Sequence, residues 1–167
     1  MGEAVLRDIA KKRGLDIEVD SCGTGAYHVG EDPDDRYDLL AYQYKDWLIQ
    51  AHLQDRCDVQ KSMIDNSVGA LQSHGVPISH QARKISTSDF TKFTHILAAD
   101  GSNLRDLERI KPRDATAEVK LWGSYLNNEP IGDPYYGGIN GFEKVFQQCV
   151  AFSNAFLDEV VGKSSES

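Results

Sequence analysis

Chemistry has few places to start in this chain. Its thiols are Cys22, Cys57 and Cys149, an odd and scattered set that fits reduced cysteines in a cytoplasm better than a disulfide framework. The five histidines and these cysteines show no paired ligand spacing, so there is no case for a zinc site, and no cofactor is expected. A loop rich in Pro and Gly carries Asp133-Pro134-Tyr135-Tyr136. A positioned Asp can act as a general acid, but read as a bare dipeptide Asp-Pro is a turn starter. Asp100, ahead of Gly101-Ser102, stands where a helix N-cap would stand.

These groups must be held by elements. Ala4, Val5, Ile9 and Leu15, with charges between them, predict an amphipathic helix over residues 2–13 that stops at Gly14. Ile17–Ser21 alternates as a short strand, ended by Gly23-Thr24-Gly25. Residues 67–74 predict a short helix closed by Gly75, and Ser86–Phe90 an N-cap region entering a helical turn. His95–Ala99 is an almost unbroken apolar run, as in a strand buried on both faces. A helix over 103–110 follows, ended by Pro112, and Val119–Trp122 is a further strand. The longest helix is Gly141–Val161, with Phe142, Val145, Phe146, Cys149, Phe152, Phe156 and Val160 on one face. Strands alternating with helices predict a parallel α/β sheet. In such folds ligands bind where a strand C-terminus meets a helix N-terminus, and here the first such junction would lie before Met1.

The net charge of −8 argues against nucleic acid or an anionic membrane as the main partner. No run approaches the roughly 20 apolar residues of a membrane span. Length and composition fit one soluble domain over residues 1–161 with a polar tail at 162–167.

Five stretches, taken in order, resemble the low-molecular-weight protein-tyrosine phosphatase family. They are Met1–Val5; Val19-Asp20-Ser21-Cys22-Gly23-Thr24-Gly25-Ala26-Tyr27-His28-Val29-Gly30; His74-Gly75-Val76-Pro77-Ile78-Ser79-His80-Gln81-Ala82-Arg83; Asp100–Leu107; and Gly132-Asp133-Pro134-Tyr135-Tyr136-Gly137-Gly138. The resemblance implies a parallel sheet flanked by helices, and hydrolysis of phosphotyrosine proteins or small aryl phosphates without a metal. It implies a Cys-x5-Arg-Ser/Thr loop between the first strand and first helix. Five intervening residues curl their N–H groups around a phosphate dianion, the Arg grips two oxygens, and the lowered thiol pKa lets the thiolate attack phosphorus. By the same resemblance Asp133 is the general acid and later the base. Tyr27, Tyr135 and Tyr136 line the substrate mouth. His80 and Arg83 support the nucleophile loop, and Asp100 serves that network.

The sequence departs from the family in two places. In the family the nucleophile loop runs into Ser-Pro-Met-Gly-Glu-Ala, and this chain starts at that internal Met. Six residues beyond Cys22, Cys57 and Cys149 stand His28, Met63 and Ala155, never Arg. The expectation is a family member without its first, central strand or its nucleophile, inactive as it stands. The alternative is a non-catalytic phosphatase-like binding module. An arsenate reductase on the same fold would need the same cysteine and resolving thiols besides. The second departure is Tyr37–Asn66, an extra segment with apolar residues at helical spacing. It reads as a family-specific interaction helix or, more simply, as a translated intron or a gene-model error.

Overall fold

The computed structural model describes residues 1–23, 66–78, 83–132, 134 and 138–162. Tyr37–Asp65, nearly all of the extra segment, and residues 163–167 of the polar tail lie outside them.

Helix α1 spans Gly2–Lys12 and buries Ala4, Val5, Leu6 and Ala10. Glu3 in its first turn and Lys11 and Lys12 in its last complement the helix dipole. Gly14, at φ +69, ends it. Gly14 N–H donates to Lys11 C=O and Leu15 N–H to Ala10 C=O, a Schellman closure that uses the left-handed conformation glycine adopts without strain. The same device ends helix α2, residues 66–73: Gly75 has φ +66, and Val76 N–H reaches back to Leu71 C=O. A short helix α3, Asp89–Lys92, leads into strand β1, His95–Ala98. Asp100 Oδ1 accepts from the N–H groups of Ser102 and Asn103, both at 2.8 Å, and so starts helix α4, Gly101–Ile110. Strand β2, Glu118–Leu121, pairs in parallel with β1, His95 opposite Glu118 and Ala98 opposite Leu121. A 3₁₀ turn at Trp122–Tyr125 follows, and helix α5, Gly138–Val160, packs along α1.

Side-chain alternation along β1 decides the layering. Leu97 joins a core built from α1, α2, Trp122 and the apolar face of α5. Ile96 and Ala98 join a second cluster with Ile85, Phe90 and Leu107. The chain is therefore α/β, with a small parallel sheet flanked by helices on both faces.

Two expectations change. Ile17–Ser21 is not a strand: residues 15–20 keep the alternating exposure of one, but no strand lies beside them among the described residues. Pairing begins only at Gly23, which bridges in parallel to Lys84. On α5, Phe142 to Phe156 are buried as expected, whereas Val160 is 40% exposed because the helix outruns the core it covers.

Candidate active site

A cavity of about 350 Å³ lies between the 15–23 stretch and β1. The first turn of α1 (Gly2, Glu3, Leu6) lines it, α5 contributes Val145, Cys149 and Phe156, and Trp122 and Ile131 stand on the wall. Gly2 has no side chain for a packing reason: a Cβ there would come within 2.7 Å of the Trp122 ring.

The polar side of the cavity is an ordered set of charges. Glu3 is buried, yet it is satisfied: it pairs with Arg7 one turn on and accepts from Ser21 Oγ at 2.6 Å. Arg7 also donates to Val19 C=O at 2.7 Å, so α1 and the 15–23 stretch are stitched together. Arg83 lies between two carboxylates, Nε on Asp20 at 2.8 Å and Nη1 on Asp89 at 2.7 Å. Burial would lower the Arg83 pKa, but the two acids outweigh it and hold the guanidinium charged. Burial likewise works against the Asp89 carboxylate. Arg83 and the Ser86 N–H (2.8 Å) reverse that, and its pKa ends below the usual carboxylate range.

The thiols in this region are not nucleophiles in waiting. Solvent reaches Cys22 through the cavity, but surrounding protein atoms desolvate it and push the thiol up to about 11; Arg83 pulls the other way, and Asp89 and Asp20 add to the rise. Cys149 is buried on α5, and desolvation pushes it up to about 12. Both stay protonated at neutral pH, the opposite of what an attacking thiolate needs. Among the described residues no cluster of His, Cys, Asp and Glu could hold a metal ion.

Of the residues singled out from the sequence, Asp100 is described and acts as an N-cap. Tyr27, His80, Asp133, Tyr135 and Tyr136 lie outside the described residues, as does Cys57. The residues beside Asp133 are firmly held. Ile131 N–H donates to Ala99 C=O at 2.8 Å, Gly132 N–H to Gln148 Oε1 at 2.8 Å, and Gln148 Nε2 to Pro130 C=O at 2.8 Å. Pro134 is fully buried, and a Cβ on Gly141 would come within 2.5 Å of its carbonyl oxygen. Residues 130–132 are thus bonded to the C-terminal end of β1 and to α5.

Sequence reasoning missed two polar groups here. Glu3 was not singled out: it stands in the charged first turn of a predicted helix, and nothing local marks it as buried. Asp89 did carry a signal, since Ser86-x-x-Asp89 is a capping-box pattern in which the acid reaches back to the Ser N–H.

Comparison with known proteins agrees with this architecture. The sequence model of the family described as "Low molecular weight phosphotyrosine protein phosphatase" matches residues 1–56 and 51–166. A low molecular weight phosphotyrosine protein phosphatase of Schizosaccharomyces pombe is 37% identical over 166 residues, covering 96% of this chain and 87% of that protein. The Homo sapiens protein of the same description is 34% identical, covering 95% and 85%. The crystal structure of Primo-1 superposes with a TM-score of 0.70 at 30% identity, over 96% of this chain and 88% of that one.

Proposed function

The chain belongs to the low molecular weight phosphotyrosine protein phosphatase family, and from that premise we propose that its chemistry is hydrolysis of phosphotyrosine and small aryl phosphates, with Asp133 as general acid and a nucleophile other than Cys22, Cys57 and Cys149. In the complete reaction a cysteine thiolate attacks phosphorus while Asp133 gives its proton to the bridging oxygen, so that a phenol departs rather than a phenolate. The phenol pKa near 10 makes that proton necessary. Asp133, now a carboxylate, takes a proton from water, which attacks the cysteinyl-phosphate; inorganic phosphate leaves and the thiolate returns. Tyr27, Tyr135 and Tyr136 hold the aromatic ring, and His80 supports the loop that carries the cysteine.

The observation that carries the second half of the proposal is the state of the thiols. No cysteine is followed six residues on by Arg, and desolvation by the surrounding protein raises the thiol pKa of both Cys22 and Cys149. Reduced cysteines favour the cytoplasm as the compartment, and among the described residues no helix is long and apolar enough to cross a membrane.

The test is turnover of para-nitrophenyl phosphate at mildly acidic pH. The chain should show none, and a version in which a strand and a Cys-x5-Arg-Ser-Pro loop precede Met1 should show it. Activity of the chain itself that disappears on changing Cys22, Cys57 or Cys149 to Ser would overturn the proposal. Failure of the loop-bearing version to turn over would favour a non-catalytic binding module.

A further inference from the structure

We propose that Gln148 is the positioning residue of the general acid: through two hydrogen bonds its side-chain amide sets the backbone that delivers Asp133 to the leaving group. This deepens the phosphatase reading and rests on it.

The amide works as a fixed piece of strand. Its Nε2 donates to Pro130 C=O and its Oε1 accepts from Gly132 N–H, both at 2.8 Å. One partner can only accept and the other can only donate, so the orientation of the amide follows from the bonds themselves. A neighbouring strand would pair with two alternate residues in the same way. Ile131, between them, turns to the other side and donates to Ala99 C=O at 2.8 Å, just past β1. The bond at Gly132 stops one residue short of Asp133.

Beyond Asp133 the same helix supplies a second seat. Pro134 is fully buried, and Gly141 leaves room for its carbonyl oxygen. Gly141 and Gln148 stand two turns of α5 apart and so share a face. The helix thus holds residue 132 with one side chain and makes room for residue 134 by lacking another. Consecutive Cα atoms are about 3.8 Å apart, so fixing both neighbours limits where the chain can carry residue 133. General-acid catalysis depends on that placement. The carboxyl must come within hydrogen-bond reach of the bridging oxygen, and a misplacement of about 1 Å can cost about 10²-fold. Neither close relative of the amide serves: Glu keeps the acceptor and loses the donor, and Met keeps the length and loses both.

The intact chain gives the first test. In Gln148→Met, amide exchange at Gly132 should speed up at least about tenfold, while the amides of Phe152–Leu157 stay within about twofold of the parent. In Gln148→Glu, the added carboxylate should raise the titration midpoint of the Asp133 carboxyl, followed by carbon NMR. The loop-bearing version gives the second test. Losing a well-placed acid penalises phenyl phosphate, whose leaving group needs the proton, more than para-nitrophenyl phosphate. Gln148→Met should lower kcat/KM on phenyl phosphate at least about tenfold more than on para-nitrophenyl phosphate. It should leave that ratio unchanged in an Asp133→Asn background, whereas a merely structural defect would lower both substrates alike. Gln147→Met, which breaks only a bond to Glu143 within the helix, should behave as the parent. Unchanged exchange at Gly132, an unmoved Asp133 titration or equal losses on the two substrates would each overturn the proposal. If Asp133→Asn itself does not alter the leaving-group preference, the general-acid reading falls and this inference with it. If Asp133→Asn alters it and Gln148→Met does not, the inference alone falls.

Discussion

Arg83 Nη1 lies 2.7 Å from Asp89 Oδ2, while its Nε holds Asp20 at 2.8 Å. One guanidinium therefore fixes the 15–23 stretch to the turn that begins α3. Hydrogen bonds to charged groups contribute about 1.5–3 kcal/mol, and partial exposure of Arg83 calls for a discount. We expect Asp89→Asn and Arg83→Ala each to cost about 1–2 kcal/mol in urea denaturation, with a coupling of about 1 kcal/mol in the double-mutant cycle. Strict additivity would mean the pair does not act as a unit.

The same pair sets an acid dependence. Asp89 titrates below its unfolded value, which is about 3.9. A carboxylate with a depressed folded pKa contributes stability above the unfolded pKa and loses it as pH falls through the folded one. As pH falls below about 4, the urea midpoint should drop more steeply in the parent than in Asp89→Asn. Parallel curves would remove Asp89 as the source.

Glycines separate loop anchoring from helix propensity. A Cβ on Gly141 would stand 2.5 Å from the Pro134 carbonyl, so Gly141→Ala should cost about 1–3 kcal/mol through backbone displacement. A Cβ on Gly69, in α2, meets nothing within 4 Å, and Gly69→Ala should stabilise by up to about 1 kcal/mol. Thermal denaturation of the two variants should shift in opposite directions.

Burial along α5 makes a further contrast. Phe152 is 1% exposed and meets Trp122 edge-on with ring centroids 6.3 Å apart. Phe152→Ala should cost about 3–5 kcal/mol. Val160→Ala should change the denaturation midpoint by less than about 0.5 kcal/mol.

In the loop-bearing version described above, Asp133→Asn should lower kcat on para-nitrophenyl phosphate by about 10²–10⁴-fold and leave inorganic phosphate inhibition nearly unchanged. An unaltered kcat would end the case for Asp133 as the acid.

Local signals in the sequence account for much of the fold. The apolar spacing of α1 and α5, the unbroken run of β1 and the stops at Gly14 and Gly75 depend on neighbours a few residues away. Ile17–Ser21 went wrong because alternation is local, whereas a strand also needs a partner from elsewhere in the chain. Val160 went wrong because helical period continues past the edge of the core. Glu3 and Asp89 were passed over because charge is read as surface until a tertiary partner appears. Asp133, Tyr27, Tyr135, Tyr136 and His80 could be singled out only through family resemblance, since no local physical rule marks them.

Arg13 near the start of the chain grips Asp158 near its end, 2.6 Å apart in space and 145 residues apart in sequence. During synthesis at about 5–20 residues per second, α1 leaves the ribosome roughly 7–30 s before its partner helix exists. Its apolar stripe of Ala4, Val5, Leu6 and Ala10 stays uncovered for that whole interval. A ribosome stalled before α5 therefore releases a product that cannot close its main core.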